Sequence, residues 1–589
     1  MYRGLAMAQQ VDRGNVGRYL VLVLGVGMGI AGCGGVREEP ADAGPVNVCT
    51  PNALACGADN AVYQCNADGT DQTKIQDCQF GCATDHCKEC EANTTFCDGD
   101  NLVTCSADGT ITNPQTCADG CQLDRCNTCT PSTMFCDGAN AVTCGADGTP
   151  ASTTTCGAAG CLGGVCNSCT PNTTSCQGDT LVVCNANGMV QNTTSCALGC
   201  AGGAAAHCKQ LVPSYGVGIP SGTPMNLVAD MDGSLNIATC SGAAPKVDLT
   251  VGGTTTTLVA PQVSVVTQVG SVPICVVRFG TITVSSGVTL SVSNNGNALS
   301  LQATGDIAIS GLVTFANSAP GPSPGVTVQT VGTNSNNTHI GPGAGGGGAA
   351  RAGGSGGICI SCGGGNVPGG AGGAAVTNIL SRLNGGSSGG YVNGGFFTFG
   401  FGGRGGGALQ LVSLTRVTFG ATGAVALNGE GGTGIGSGGF QNGSFDLPAG
   451  GGGSGGTLVV EAPVVSLSAG ALAVANGAGG AGGCFFFDSN GDFRYHHPAG
   501  QPGQLSDVRA AGGDCPSSVT GDGGAEATGA TSPSADGQTS DSGAANQAGG
   551  GGGGSNGFVI LRGRAATSVT ITNGAIVSPA PSVGAVTAN

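Results

Sequence analysis

The chain has 589 residues, of which 116 are glycine and 31 cysteine, with no tryptophan and a formal net charge of −16. That length is enough for several domains. The acidic balance, with no basic run anywhere, excludes nucleic acid as a partner, because phosphate backbones are bound through clustered Lys and Arg. Past the N-terminal region, no apolar run reaches the ~20 residues of a membrane-spanning helix.

The stretch VDRGNVGRYLVLVLGVGMGIAGCGG has the layout of an export signal. Arg13 and Arg18 form a positive region, Tyr19 to Ile30 is a short apolar region, and small residues follow. Ile30-Ala31-Gly32-Cys33 resembles the bacterial lipobox. The resemblance implies that residues 1–32 are a lipoprotein signal peptide, and that lipid on Cys33 makes the membrane a partner through acyl burial of ~0.8 kcal/mol per methylene. An ordinary signal peptide cut after Gly32 and an uncleaved anchor are the alternatives. Gly34 rather than Asp follows the cysteine, so the outer membrane or cell surface is the expected location. Residues 33–48, with Glu38, Glu39, Pro40 and Pro45, read as a tether.

Residues 49–209 hold four copies of a ~40-residue unit with six cysteines each. These are Cys49, Cys56, Cys65, Cys78, Cys82 and Cys87; Cys90, Cys97, Cys105, Cys117, Cys121 and Cys126; Cys129, Cys136, Cys144, Cys156, Cys161 and Cys166; and Cys169, Cys176, Cys184, Cys196, Cys200 and Cys208. FCDGDNLVTCSADGT in the second copy returns as FCDGANAVTCGADGT in the third. In each, an Asp-Gly pair after a short apolar strand signals a hairpin. A unit this short cannot bury enough apolar surface to fold unaided, and three bridges of roughly 2–4 kcal/mol each would supply what its core lacks. Export places the thiols where bridges persist. Metal-knuckle and redox readings of the C-x-x-C junctions are weaker, because only His86 and His207 accompany them. Six cysteines allow fifteen pairings, and spacing does not choose among them.

Residues 210–272 read as a connecting β-rich segment, and residues 273–589 as a glycine-rich β-solenoid. Four stretches begin at Ala298, Ala408, Gly455 and Phe558, each with three short strands separated by small or polar residues. In the third, the runs are Thr457–Glu461, Val464–Ser468 and Ala471–Ala475, with Leu458, Val460, Val465, Leu467, Leu472 and Val474 on one face. Three strands per two dozen residues fits the coil of a right-handed parallel β-helix, whose inner faces are completed by stacking. A β-sandwich is the alternative. RFGTITVSSGVTLSVSNNGN supplies an opening coil. Asn317, Asn428 and Asn476 recur after the third strand and could stack as an amide ladder. Insertions at 322–407, 433–456 and 481–557 all leave after the third strand, hence along one edge. Their glycine runs should be mobile or packed as extended polyglycine-II-like chains.

The insertions carry ten of the seventeen phenylalanines. Tyr391, Phe396, Phe397, Phe399, Phe486 and Tyr495 are the candidate contacts to a glycan or cell-surface protein. The plainer reading is that these rings roof the loops onto the solenoid. Asp488, Asn490 and Asp492 resemble the start of a calcium loop but lack its sixth-position glycine and twelfth-position carboxylate, so a polar turn is the simpler reading. No cofactor motif is present, and no catalytic residue is assigned. The coils carry few charges (Asp306, Arg416, Glu430, Glu461, Arg562 and Arg564), with no recurring acidic pair of the kind glycosidic chemistry uses.

The stretch CVVRFGTITVSSGVTLSVSNNGNALSLQATGDIAISG, followed by GGRGGGALQLVS and GGGGSGGTLVVEAP, resembles glycine-rich, PGRS-like exported surface proteins of large-genome Gram-negative bacteria, often lipoproteins with disulfide-rich modules at the front. The resemblance implies surface location and no particular activity. The expectation is a surface-anchored structural or adhesive lipoprotein; a carbohydrate-binding or carbohydrate-active parallel β-helix is the alternative.

Overall fold

A computed structural model describes residues 48–589 except 216–217, 219–223, 294–295, 317–324, 326, 330–331, 334–338, 363–364, 377–380, 394–399, 435–448, 488–492, 497, 509, 515–533 and 536–548; at 328–329, 332–333, 339–340, 361–362, 484–487 and 493–496 it describes backbone alone. The signal region, Cys33 and Asn317 lie outside the described residues. The chain divides into two compact units, residues 1–154 and 155–589. The first holds modules one and two and the three-stranded sheet of module three as far as Thr154. The second holds the rest.

Each cysteine module is a three-stranded antiparallel sheet followed by a short hairpin. In module two the sheet is Thr95–Asp98, Asn101–Cys105 and Ile111–Thr116, and the hairpin pairs Cys121–Gln122 with Arg125–Cys126. Val103 and Cys105 are buried, whereas the third strand is almost wholly exposed. Bridges hold what this small core cannot. Their pattern is one-to-three, two-to-five, four-to-six: Cys90–Cys105, Cys97–Cys121 and Cys117–Cys126 in module two. Module one repeats it with Cys49–Cys65, Cys56–Cys82 and Cys78–Cys87, and module four with Cys169–Cys184, Cys176–Cys200 and Cys196–Cys208. Module three has Cys129–Cys144 and Cys156–Cys166, and its Cys136 and Cys161 are also oxidised. Gly109 takes a positive φ of 83° in the second strand's turn. There the Asp108 carboxylate accepts from the Ser106 and Thr110 hydroxyls and the Thr110 N–H. These donors, Ser106 first, hold its pKa down at about 2.

The second unit is built on a three-sided parallel β-helix, as the glycine-walled repeats predict. Its first sheet contains Leu227–Ala229, Ile282–Val284, Ile307–Ile309, Arg416–Phe419, Val464–Leu467 and Val569–Ile571, one strand per coil, every pair parallel. Gly233–Asn236, Thr289–Ser293, Leu312–Phe315, Ala424–Ala426, Leu472–Val474 and Ile576–Ser578 form the coil strands of the second sheet. Ile274–Phe279, Ala298–Ala303, Ala408–Ser413, Thr457–Glu461, Phe558–Gly563 and Ser582–Ala585 form those of the third. In-register pairing stacks like on like: Leu227, Ile282, Ile307, Val417, Val465 and Val569 make one aliphatic ladder, and Val277, Leu301, Leu411, Val460, Leu561 and Val583 another. Most of these side chains join one continuous core. Each rung covers its neighbour, which is why strands of three to six residues suffice.

The solenoid begins earlier than the sequence pattern shows. Its first coil starts at Leu227, inside the expected connecting segment, and is interrupted by the antiparallel pair Val247–Val251 and Thr254–Leu258 and by Val263–Val266. These excursions break the two-dozen-residue spacing and cover the first coil's edge in the second and third sheets. The asparagines also pair differently. Asn476 N–H donates to Asn428 Oδ1 (2.8 Å), but both side-chain amides donate to backbone carbonyls of residues 503–506, and Ser578 Oγ donates to Asn476 Oδ1 in the next coil. The ladder is amide-to-backbone because residues 503–506 lie alongside and offer free carbonyls.

Two outcomes follow. Leu411→Ala removes a fully buried rung and should cost about 2–5 kcal/mol in denaturant unfolding, whereas Thr418→Ala on an outward position of the first sheet should cost under ~1 kcal/mol. In module two, the Asp108 carboxylate is lowered on folding, so its stabilisation is present above the unfolded value of ~4 and is lost as pH falls through about 2. A carboxyl NMR titration should find that midpoint, and Ser106→Ala should raise it.

Candidate functional site

The glycine insertions are ordered over much of their length, and their order has a period of three. N–H groups of Gly343, Gly346 and Ala349 donate to carbonyls of Gly357, Gly354 and Arg351; those of Ala344 and Gly347 donate to Ala449 and Gly452. Carbonyls of Gly341, Ala344 and Gly347 accept from Gly549, Gly552 and Ser555, and those of Gly343, Gly346 and Ala349 accept from Gly370, Gly373 and Val376. A strand bonds sideways with period two; a chain with three residues per turn and no internal hydrogen bonds bonds outward in three directions. The segment 449–456 is bonded to six others, within 344–347, 386–390, 403–406, 427–430, 478–481 and 549–555. The insertions therefore form a bundle of cross-bonded polyglycine-II chains.

Close approach dictates the composition. A Cβ on Gly451 would lie 2.1 Å from the Gly345 carbonyl oxygen, and one on Gly403 would lie 1.8 Å from that of Glu430. Where serine enters the interior, its hydroxyl takes a backbone's place as acceptor: Ser387 N–H donates to Ser454 Oγ and Ala349 N–H to Ser555 Oγ, both 2.7 Å. Buried backbone polar groups are thus paired with little side-chain mass between chains.

The bundle has a root and a far end. At the root, segments 402–407, 449–456 and 549–557 run directly into third-sheet strands at Ala408, Thr457 and Phe558, and segments 427–433 and 475–483 leave second-sheet strands. At the far end one layer of bonds ties Gly343 to Gly357, Gly345 to Gly390, Ala344 to Ala449, Phe401 to Thr433, Gly450 to Ala481, and Pro498 to Gly482. From this layer the described chain continues into 358–362, 391–393 and the hairpin strand Cys484–Phe487. Of the aromatic candidates, Tyr391 and Phe486 belong to these stretches, and Tyr495 to the strand paired with the last. Tyr391 is 44% exposed and the adjoining Phe401 is 55% exposed. Phe486 and Tyr495 lie on the antiparallel hairpin Cys484–Phe487 with Phe493–His496, where Phe486 is opposite Arg494 and Tyr495 opposite Phe485. Phe396, Phe397, Phe399, Asp488, Asn490 and Asp492 lie outside the described residues. Among the described residues no group of three or more His, Cys, Asp or Glu could hold a metal.

The charged residues of the coils pair with partners brought close by stacking or docking. Asp306 meets Arg416 at 3.1 Å, Glu430 meets Arg404 at 3.9 Å, and Arg564 meets Asp179 of module four at 2.6 Å. Glu461 is fully buried, 3.8 Å from Arg562 in the next coil. A cleft of about 250 Å³ at the bundle's root is lined by Phe315, Asn428, Glu430, Pro502 and Leu505. It falls below the ~300 Å³ at which small-molecule sites begin. That the insertions leave along one edge was legible in sequence; their cross-bonding was not, because it follows from which glycine bonds which, and a glycine run carries no mark of its neighbours.

Neither a protein-family model, nor a curated protein, nor a solved structure matches this chain.

Gly451→Ala should loosen the bundle, seen as faster amide exchange at Gly390, Gly403 and Gly552 with the coil amides unchanged. Gly584→Ala, where nothing lies within 4 Å of the added Cβ, should change neither.

Proposed function

We propose that the chain is a surface-anchored structural or adhesive protein, which holds a set of recognition loops away from the cell on a rigid polyglycine platform. Oxidised cysteines throughout the described modules point to an extracellular or exported protein, since such bridges persist outside the cytosol. No helix among the described residues is long and apolar enough to cross a membrane. Attachment in this reading is through lipid on Cys33, in the manner of the PGRS-like surface lipoproteins that the coil sequences resemble, with the outer membrane as its site.

The observation that carries the reading is the far end of the bundle, where stretches from all three insertions leave one hydrogen-bonded layer. Loops on a rigid scaffold are the usual place for binding residues, and a cross-bonded base lowers the ordering cost of contact. Tyr391 and Phe401, both exposed at this layer, offer aromatic faces to a sugar ring or a protein surface.

A chain lacking residues 1–33 should be retained on at least one member of a polysaccharide and whole-cell panel. Tyr391→Ala with Phe401→Ala, or Phe396, Phe397 and Phe399 all changed to Ala, should cut retention tenfold or more while leaving the circular dichroism spectrum intact. Retention by nothing in the panel, or retention indifferent to both variants, would count against the proposal.

A further inference from the structure

The segment that follows module four does not simply lead to the first coil. Leu211–Val212 pairs antiparallel with Thr587–Ala588 beside the last coil, and Gln210 and Asn589 exchange backbone hydrogen bonds of 2.8 and 3.1 Å. Two residues on, Ser214 reaches the outer face of the third sheet. Its N–H donates to Glu461 Oε2 (3.1 Å) and its hydroxyl to Glu461 Oε1 (2.5 Å), while Arg562 donates to Ser214 Oγ (2.7 Å). Gln410 Nε2 donates to Glu461 Oε2 (2.7 Å) and its Oε1 accepts from Ser300 Oγ (2.7 Å). Tyr215 is buried in an apolar cluster with Ala408, Val459 and Ile560. By Met225 and Asn226 the chain lies beside Gly280 and Thr281 near the solenoid's beginning. The segment therefore meets the chain's last strand and the third-sheet strands Thr457–Glu461 and Phe558–Gly563 first and the opening coil last.

We propose that residues 211–215 are a clasp, which joins the cysteine modules directly to the third-sheet strands Thr457–Glu461 and Phe558–Gly563, so that tension drawn through the modules enters the solenoid there and bypasses the peptide connection to the opening coil. The buried Glu461 carboxylate is the centre of the clasp. Its two oxygens are shared among Ser214, Gln410 and Arg562, and a buried charge so engaged is released only with its whole set of partners. The Arg564–Asp179 pair holds module four against the last coil as a second point of contact. The clasp needs no ligand, so it stands or falls separately from the loop-binding proposal.

A protease site inserted at Gly218, which is exposed with open space around it, tests the clasp in the folded full-length chain. After cleavage, the module fragment should co-elute with the solenoid fragment at micromolar concentration, and adding Ser214→Ala to the cleaved protein should speed dissociation roughly ten- to a hundredfold, the range for losing hydrogen bonds to a charged group. Separation of the fragments on cleavage would overturn the proposal. Hydrogen exchange on the uncut wild-type chain gives an independent reading. The Ser214 amide should be protected to the same order as those of Thr457–Glu461, and exchange at the rate of an unstructured linker would sink the clasp whatever the cleaved protein does.

Discussion

The molecule depends on backbone groups bonding outward in three directions. A chain with three residues per turn leaves every N–H and C=O pointing away from its own axis, and in water those groups would remain solvated. Cross-bonding removes them from water only if neighbouring chains approach to hydrogen-bond distance on several sides at once. The Cβ position at Gly451 shows the consequence: a carbonyl of the next chain already occupies it. Glycine is therefore required by contact rather than by conformational freedom. Its ordering cost is the highest of any residue, so such a bundle cannot nucleate alone. It needs chain ends held in place, and the coil strands at Ala408, Thr457 and Phe558 hold them.

Three means of stabilisation divide the chain between them. The modules have almost no core and rely on bridges, with one pairing pattern shared by modules one, two and four. The coils have a continuous aliphatic core, with the bridge Cys240–Cys275 near its start. The described glycine segments of the bundle rely on hydrogen bonds. The third sheet is where the last two meet. Its inner face joins the main core through Leu409, Leu458 and Val559, and its outer face is also buried, around Ala408, Val459 and Ile560. A sheet covered on both faces reads as an unbroken apolar run, and TLVVE and FVILRG have that character where the first-sheet strands alternate. The polar outward residues of these third-sheet strands and of the neighbouring ALQLVS, namely Glu461, Arg562 and Gln410, are the ones that hold the clasp.

Legibility in the sequence followed these divisions. The coils were readable because each repeats its three strands in one stretch of two dozen residues, so the inward set at Leu458, Val460, Val465 and Leu467 could be assigned before any pairing was known; in the third run the phase is the opposite of the expected one, and Ala471, Ala473 and Ala475 enter the core in place of Leu472 and Val474. The first coil was not, since its strands at Leu227–Ala229 and Gly233–Asn236 are short and are followed by an antiparallel excursion that destroys the spacing. The modules announced their cysteines but not their bridges, because connectivity is set by how three strands lie and not by intervals along the chain. Glu461 was visible only as one of a few charges; its role comes from Ser214, 247 residues away in sequence.

The bundle also bears on how the loops can work. The described flanks 386–390 and 401–406, and 427–433 and 449–456, are each bonded to several neighbours, so the stretches between them have both ends fixed by contacts outside those stretches. Substitutions within a loop then leave its supports unchanged, as a rigid scaffold under variable loops permits. The interior glycines allow no such freedom, because an added methyl collides with backbone, which cannot swing aside as a side chain can. A sequence under these two conditions keeps its glycine runs and varies between them, and the contrast between GPGAGGGGAARAGGSGG and CFFFDSNGDFRYHH within one chain is the form such a division takes.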